Sequence, residues 1–140
     1  MIARQLVLIF RIAFEVSVML FCRALFALVH YDLLKTFCRF ETICAVIKSW
    51  QVAKRPTDEQ TIERICQAIN HAAIWYPRRT LCLQRSFATT YLLRRYGVSA
   101  QLVTGAQMVP LKAHAWVEVQ GKPVNENQSA QASYSVWERC

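Results

Sequence analysis

Three side chains in the second half of the chain have the types needed for nucleophilic chemistry: Cys82, His114 and Glu126, in that order. A thiol attacks as its thiolate, so it needs a base within reach and surroundings that favour negative charge. The run Cys82 to Tyr96 reads as a helix: Leu83, Phe87, Tyr91 and Leu92 fall at helical spacing, Thr80 serves as N-cap, and Gly97 ends it. Cys82 then sits in the first turn, where unpaired amides and the positive end of the helix dipole favour a sulfur anion. The same amides, that of Cys82 included, form a natural oxyanion hole for acyl transfer, and no side-chain donor to that hole stands out. Arg78, Arg79 and Arg85 lie close in sequence, either adding positive potential or facing solvent.

His114 stands in Ala113-His114-Ala115-Trp116-Val117-Glu118-Val119, an alternating segment that predicts a strand with His114, Trp116 and Glu118 on one face. Its role would be to deprotonate Cys82 and later protonate the leaving amine. A third group must orient the imidazole. Glu126, placed on a strand after a turn at Gly121-Lys122-Pro123, is the first candidate and Asn125 the rival; neighbours on a strand face opposite ways, so only one can serve. Trp116 reads as a core aromatic before a substrate platform, and Glu118 as a solvent-facing or ion-paired strand residue. His30 and His71, in helical stretches without a nucleophile nearby, read as surface or interhelix residues.

The elements that must position these groups fit one α+β domain of 140 residues, with helices first and strands later. Residues 1–76 form a helical scaffold and 77–140 the catalytic core. Leu6 to Val29 is apolar almost all round, but Arg11, Glu15 and Arg23 interrupt it. Each would cost about 2.5–3.5 kcal/mol at the centre of a membrane span, so a buried or interfacial helix is expected over a span or a cleavable signal. Lys35 to Arg39 breaks the helix, and a second begins near Thr42. Thr57 and Gln60 form a capping box after Pro56, starting a helix whose apolar face is Ile62, Ile65, Cys66, Ile69, Ala72 and Ala73; Pro77 stops it.

With 54% hydrophobic residues, 3 Gly and 4 Pro, the chain is not disordered. Its formal charge of +8 calls for an acidic partner, but the basic residues are scattered and no reading motif accompanies them, which makes nucleic-acid binding the weakest class. Six widely spaced cysteines include no CxxC pair. Thiolate metal binding is therefore not expected, and Cys22, Cys38, Cys44 and Cys66 read as free packing residues suited to a reducing cytoplasm. The Asn127-Gln128-Ser129 sequon reads as incidental.

The segments Cys82-Leu83-Gln84-Arg85-Ser86, Leu92-Leu93-Arg94-Arg95-Tyr96-Gly97, His114-Ala115-Trp116-Val117-Glu118 and Gly121-Lys122-Pro123-Val124-Asn125-Glu126 resemble the lasso peptide maturation B2 proteins, which are transglutaminase-like cysteine peptidases. The resemblance is close over the carboxy-terminal half and looser before it. It implies a helical amino-terminal half packed on a transglutaminase/papain-like core, with a nucleophile-bearing helix and a small antiparallel sheet. Position by position, it assigns the nucleophile to Cys82, the base to His114 and the third place, usually aspartate, to Glu126. Arg85 and Trp116 are candidates for substrate contact, and no cofactor or metal is implied. The implied reaction is hydrolysis that frees the core of a ribosomally made lasso precursor from its leader. A separate leader-recognition protein of the B1 type would present that leader, because residues 1 to 76 lack the strand pairs of a recognition domain. An asparagine-synthetase-like cyclase would take the product, and the location would be cytoplasmic with peripheral membrane contact through the first helix. Two other readings stand beside it: a transglutaminase-like acyl transferase, and a non-catalytic helical protein that binds precursor or membrane.

Overall fold

A computed structural model describes residues 1–50, 52, 58–126 and 132–140. Four helices precede a four-stranded antiparallel sheet, a mixed α+β architecture. Helix α1 (Ile2–Phe37) and helix α2 (Phe40–Ser49) part at Cys38, whose extended backbone closes the first helix through a Cys38 N–H···O Leu34 bond of 2.7 Å. The break falls inside the expected Lys35 to Arg39 window. Helix α3 (Glu59–Trp75) starts at Asp58, whose carboxylate accepts the Gln60 N–H at 3.1 Å and so satisfies one of the orphan amides. Thr57, the expected cap, lies outside the described residues, as does the sequon.

Helix α4 (Cys82–Arg95) begins at Cys82 as expected, but its cap falls one residue after Thr80. Leu81 occupies that place without a side-chain bond, so Thr80 does not cap it and the first amides of the helix stay open. At the other end Gly97 has φ +84°, and the Gly97 N–H and Val98 N–H bond Arg94 O and Leu93 O. Only a residue at ease in the left-handed region ends a helix this way.

Strands β1 (Ala100–Met108) and β2 (Leu111–Val119) pair along their whole length, setting Gly105 opposite His114 and Val103 opposite Trp116. Strand β3 (Lys122–Pro123) returns against Glu118 and Val119. The tight turn is therefore Gln120-Gly121, with φ of +53° and +76°, rather than Gly121 to Pro123. Two successive positive φ values match the right-handed twist of a two-residue hairpin. Strand β4 (Ser135–Arg139), not anticipated, adds on the far side of β1 to give the order β3-β2-β1-β4.

Two apolar clusters meet along α4. One joins Ala24, Ala27 and Leu28 of α1 to Ile65, Ile69 and Ala72 of α3, Leu92 and Leu93 of α4, and Val117 and Val119 of β2. The other joins Tyr31, Ile43, Ile47, Phe87, Leu102 and Ala115, with Cys82 and Leu83 packed against it. The expected apolar face of α3 is thus the buried one. Of the stretch Leu6 to Val29, expected to be buried or interfacial, only Ala24, Ala27 and Leu28 are buried, and every residue from Ile2 to Met19 is exposed.

Cys44, expected to be a free packing residue, is disulfide-bonded to Cys140, which β4 delivers onto α2. No local spacing announces a pair separated by 96 residues. Cys22, Cys38, Cys66 and Cys82 are free.

Gly105 shows how closely the sheet is packed behind His114. A Cβ there would lie 2.7 Å from the Ser135 backbone oxygen and 3.0 Å from the Trp116 ring, so the backbone of the neighbouring strand would have to move. Gly105→Ala is expected to destabilise the fold by about 1–3 kcal/mol, read as a lower denaturant midpoint.

Candidate active site

An open cleft of about 250 Å³ runs between the helical layer and the sheet, lined by Phe40, Cys82, Leu83, Thr104, Gly105, Ala113, His114, Ala115 and Trp137. Cys82 and His114, expected to meet, line this same cleft. Cys82 is the first residue of α4, so its own N–H and those of Leu83 and Gln84 have no carbonyl four residues back inside the helix, and the first such bond is Arg85 N–H to Leu81 O at 3.1 Å. These amides are placed to receive an anion beside the sulfur.

The imidazole of His114 is held on three sides. Its Nε2 lies 2.6 Å from Glu126 Oε2, in a half-buried pair. The Trp116 ring stacks beside it, with centroids 5.9 Å apart and planes 26° apart, and Tyr134 lies 5.3 Å away. A carboxylate on Nε2 fixes the proton there and leaves Nδ1 as the basic nitrogen. Among the described residues no hydrogen bond links Cys82 Sγ to His114. The ring would have to close on the sulfur during turnover, as catalytic hydrogen bonds often do once substrate is bound.

Glu126 reaches His114 from a bend after β3 and not from a strand as expected. Asn125 also faces the sheet, but it does other work. Its Oδ1 accepts the Val117 N–H at 3.0 Å, and its Nδ2 lies 3.4 Å from Ser86 Oγ, which itself donates to Ala115 O at 3.1 Å. The bend carrying Glu126 is thereby fastened both to β2 and to α4. Glu126→Gln should lower turnover by about 10⁴-fold without loss of fold, whereas Asn125→Ala should lower stability and turnover together, because one removes the charge that orients the imidazole and the other the anchor of the bend. Activity measured beside thermal melts separates the two.

Beneath the histidine, Trp116 is only 2% exposed, and its indole N–H donates to Glu118 Oε1 at 2.9 Å. Glu118, itself buried, is ion-paired with Arg139 of β4. Trp116 therefore supports the His114 ring and offers substrate no open face. Arg85, the other candidate for substrate contact, is exposed, lies outside the cleft lining and bonds Asn70 of α3.

Sequence reasoning missed the far wall of the cleft: Phe40 from α2, Thr104 and Gly105 from β1, and Trp137 from β4. It also missed Tyr31 of α1. Burial pushes the Tyr31 phenol up, and Asp32 and then Cys82 act in the same direction. Cys66 shows the contrast of a structural thiol. Burial, with a smaller contribution from Glu63, raises it to about 11, and it donates to Val124 O at 3.7 Å.

A family model described as the transglutaminase-like superfamily matches residues 27–139. The chain belongs to that superfamily. The match spans α4, the whole sheet and the three residues of the proposed triad, and it begins within α1 near the point where that helix becomes buried. No curated protein and no solved structure matches the chain. A transglutaminase-like domain has a cysteine-peptidase-like fold and generally carries protease or acyl-transferase chemistry.

Proposed function

We propose that this transglutaminase-like protein is a cysteine peptidase that removes the leader from a ribosomally synthesised lasso peptide precursor, with Cys82 as nucleophile, His114 as base and Glu126 as its orienting carboxylate. The observation that carries the chemistry is the shared cleft: Cys82 at an open helix start and His114 with its Nε2 on Glu126 line the same depression. The resemblance of the Cys82-Leu83-Gln84-Arg85-Ser86 and His114-Ala115-Trp116-Val117-Glu118 segments to B2 proteins supplies the substrate.

The steps follow from the residues. Nδ1 takes the thiol proton and the sulfur attacks the carbonyl at the leader–core junction. The amides at the start of α4 hold the oxyanion, and the imidazolium, steadied by Glu126, protonates the departing core amine. Water then adds to the thioester with His114 again as base, returning the leader carboxylate and the free thiol. Thr104, Phe40 and Trp137 would contact the peptide beside the scissile bond. In this reading a separate recognition protein presents the leader, and an asparagine-synthetase-like cyclase consumes the freed amine.

The test is to mix the full chain with a linear precursor, with and without the recognition protein, and follow products by mass. Release of the core with a free amino terminus is expected. An intact precursor under both conditions, or transfer of the leader acyl group to an added amine in place of water, would overturn the hydrolytic assignment.

A further inference from the structure

Among the described residues, the first half of α1 has no role in the active-site cleft, and nothing buries it. Every residue from Ile2 to Met19 is exposed, among them Phe10 at 80% and Phe14 at 66%, and the helix is long and apolar enough to cross a membrane. Leu6, Val7, Leu8, Ile9 and Phe10 follow one another directly, and successive residues on a helix turn by about 100°. The apolar surface therefore surrounds the helix and is not confined to one side. A protein partner would cover one face and leave the others in water, whereas a lipid bilayer surrounds a helix completely.

Three charges oppose burial in lipid, but they are confined: Arg4, Arg11 and Glu15 recur at spacings of seven and four, which puts them on a single line, and the ion pair of Arg11 with Glu15 at 3.7 Å offsets part of the about 2.5–3.5 kcal/mol that each costs alone. The clefts that flank α1 hold Arg64 and His71 of α3 beside the stretch from Ile9 to Leu20 on one side, and Arg23 and Arg95 beside Met19 to Phe26 on the other, with no acidic residue in either lining. Arg23 is fixed there by a 2.7 Å hydrogen bond to Tyr96. A helix that is apolar but for this one polar line thus rises from a cationic collar. The exposed stretch, roughly 27 Å at 1.5 Å per residue, is close to the thickness of a bilayer's hydrocarbon core.

We propose that residues 2–19 are embedded in the hydrocarbon of an anionic lipid bilayer, with Arg23, Arg64 and Arg95 at its headgroups, so that the catalytic domain works at a membrane surface. The inference does not depend on the peptidase reading, and its test needs no substrate.

The full chain is purified and mixed with vesicles of phosphatidylcholine alone or of phosphatidylcholine with phosphatidylglycerol, then floated through a density gradient. The wild type should float with both and more completely with the anionic vesicles. Phe10→Asp combined with Phe14→Asp should lower flotation at least about tenfold, and because both positions are exposed the domain should still fold, as circular dichroism would show. Arg64→Glu with Arg95→Glu should remove only the excess on anionic vesicles. Wild-type protein that stays in the dense fraction would overturn the proposal; sedimentation velocity would then show whether a second copy covers the helix. Intact mass showing that the cell removes this segment would overturn it as well.

Discussion

Cys82→Ala is expected to abolish leader removal, lowering the turnover rate by about 10⁵- to 10⁶-fold and leaving the precursor at full mass, while the melting temperature stays near that of the wild type. The size of the effect follows from covalent catalysis. Without the sulfur no thioester forms, and what remains is the assistance of the open amides of α4 and of the bound peptide's orientation. Stability should change little because Cys82 is half-buried at the rim of the cleft and only packs against the second apolar cluster. Alanine at the other free cysteines provides the control. Cys22 is exposed, and its substitution should change neither quantity. Loss of processing in both variants would point to a general effect of thiols and away from a nucleophile at position 82.

His114→Ala should cost a comparable factor, about 10⁵- to 10⁶-fold, since nucleophile and base act as a unit and removing either removes the unit. With the imidazole gone, the thiol must give its proton to water, and the leaving amine must take one from water. The substitution also leaves Glu126 without its 2.6 Å partner, but that carboxylate is half-buried and within reach of water, so the fold should survive. A variant that keeps near wild-type turnover would remove His114 from the mechanism and leave the His114–Glu126 pair a purely structural contact.

What the sequence disclosed were features carried by short-range periodicity. The three- and four-residue recurrence of Ile62, Ile65 and Ile69 marked the buried face of α3, the stop at Gly97 marked the end of α4, and the alternation from Ala113 to Val119 marked β2, with His114 and Trp116 sharing a face as expected. Placing Cys82 at a helix start needed only the turn residues before it. What escaped were features created when distant segments meet. The Cys44–Cys140 bond depends on β4 reaching α2, and the cleft wall of Phe40, Thr104 and Trp137 draws on three elements far apart in the chain.

Caps and turns failed for a different reason. Thr80 and Leu81 compete for one position, and the Gln120-Gly121 turn is set by strand twist; the sequence offered Gly121-Lys122-Pro123, where proline belongs to a short edge strand. Glu126, singled out as the first candidate to orient the imidazole, lies 2.6 Å from His114 Nε2. The strand assumed for it was wrong, and with it the argument that Asn125 must face the other way. In the fold both residues turn toward the sheet and divide the work, Glu126 on the imidazole and Asn125 on the Val117 amide and Ser86.

In the proposed mechanism the sulfur of Cys82 and the ring of His114 act on each other inside one cleft. Alkylation by iodoacetamide at neutral pH, followed residue by residue by mass spectrometry, tests it without any substrate. Cys82 should be modified at least about tenfold faster in the wild type than in His114→Ala, while exposed Cys22 reacts equally in both and half-buried Cys66, its thiol raised to about 11, lags in both. Equal rates at Cys82 in the two proteins would contradict the pairing.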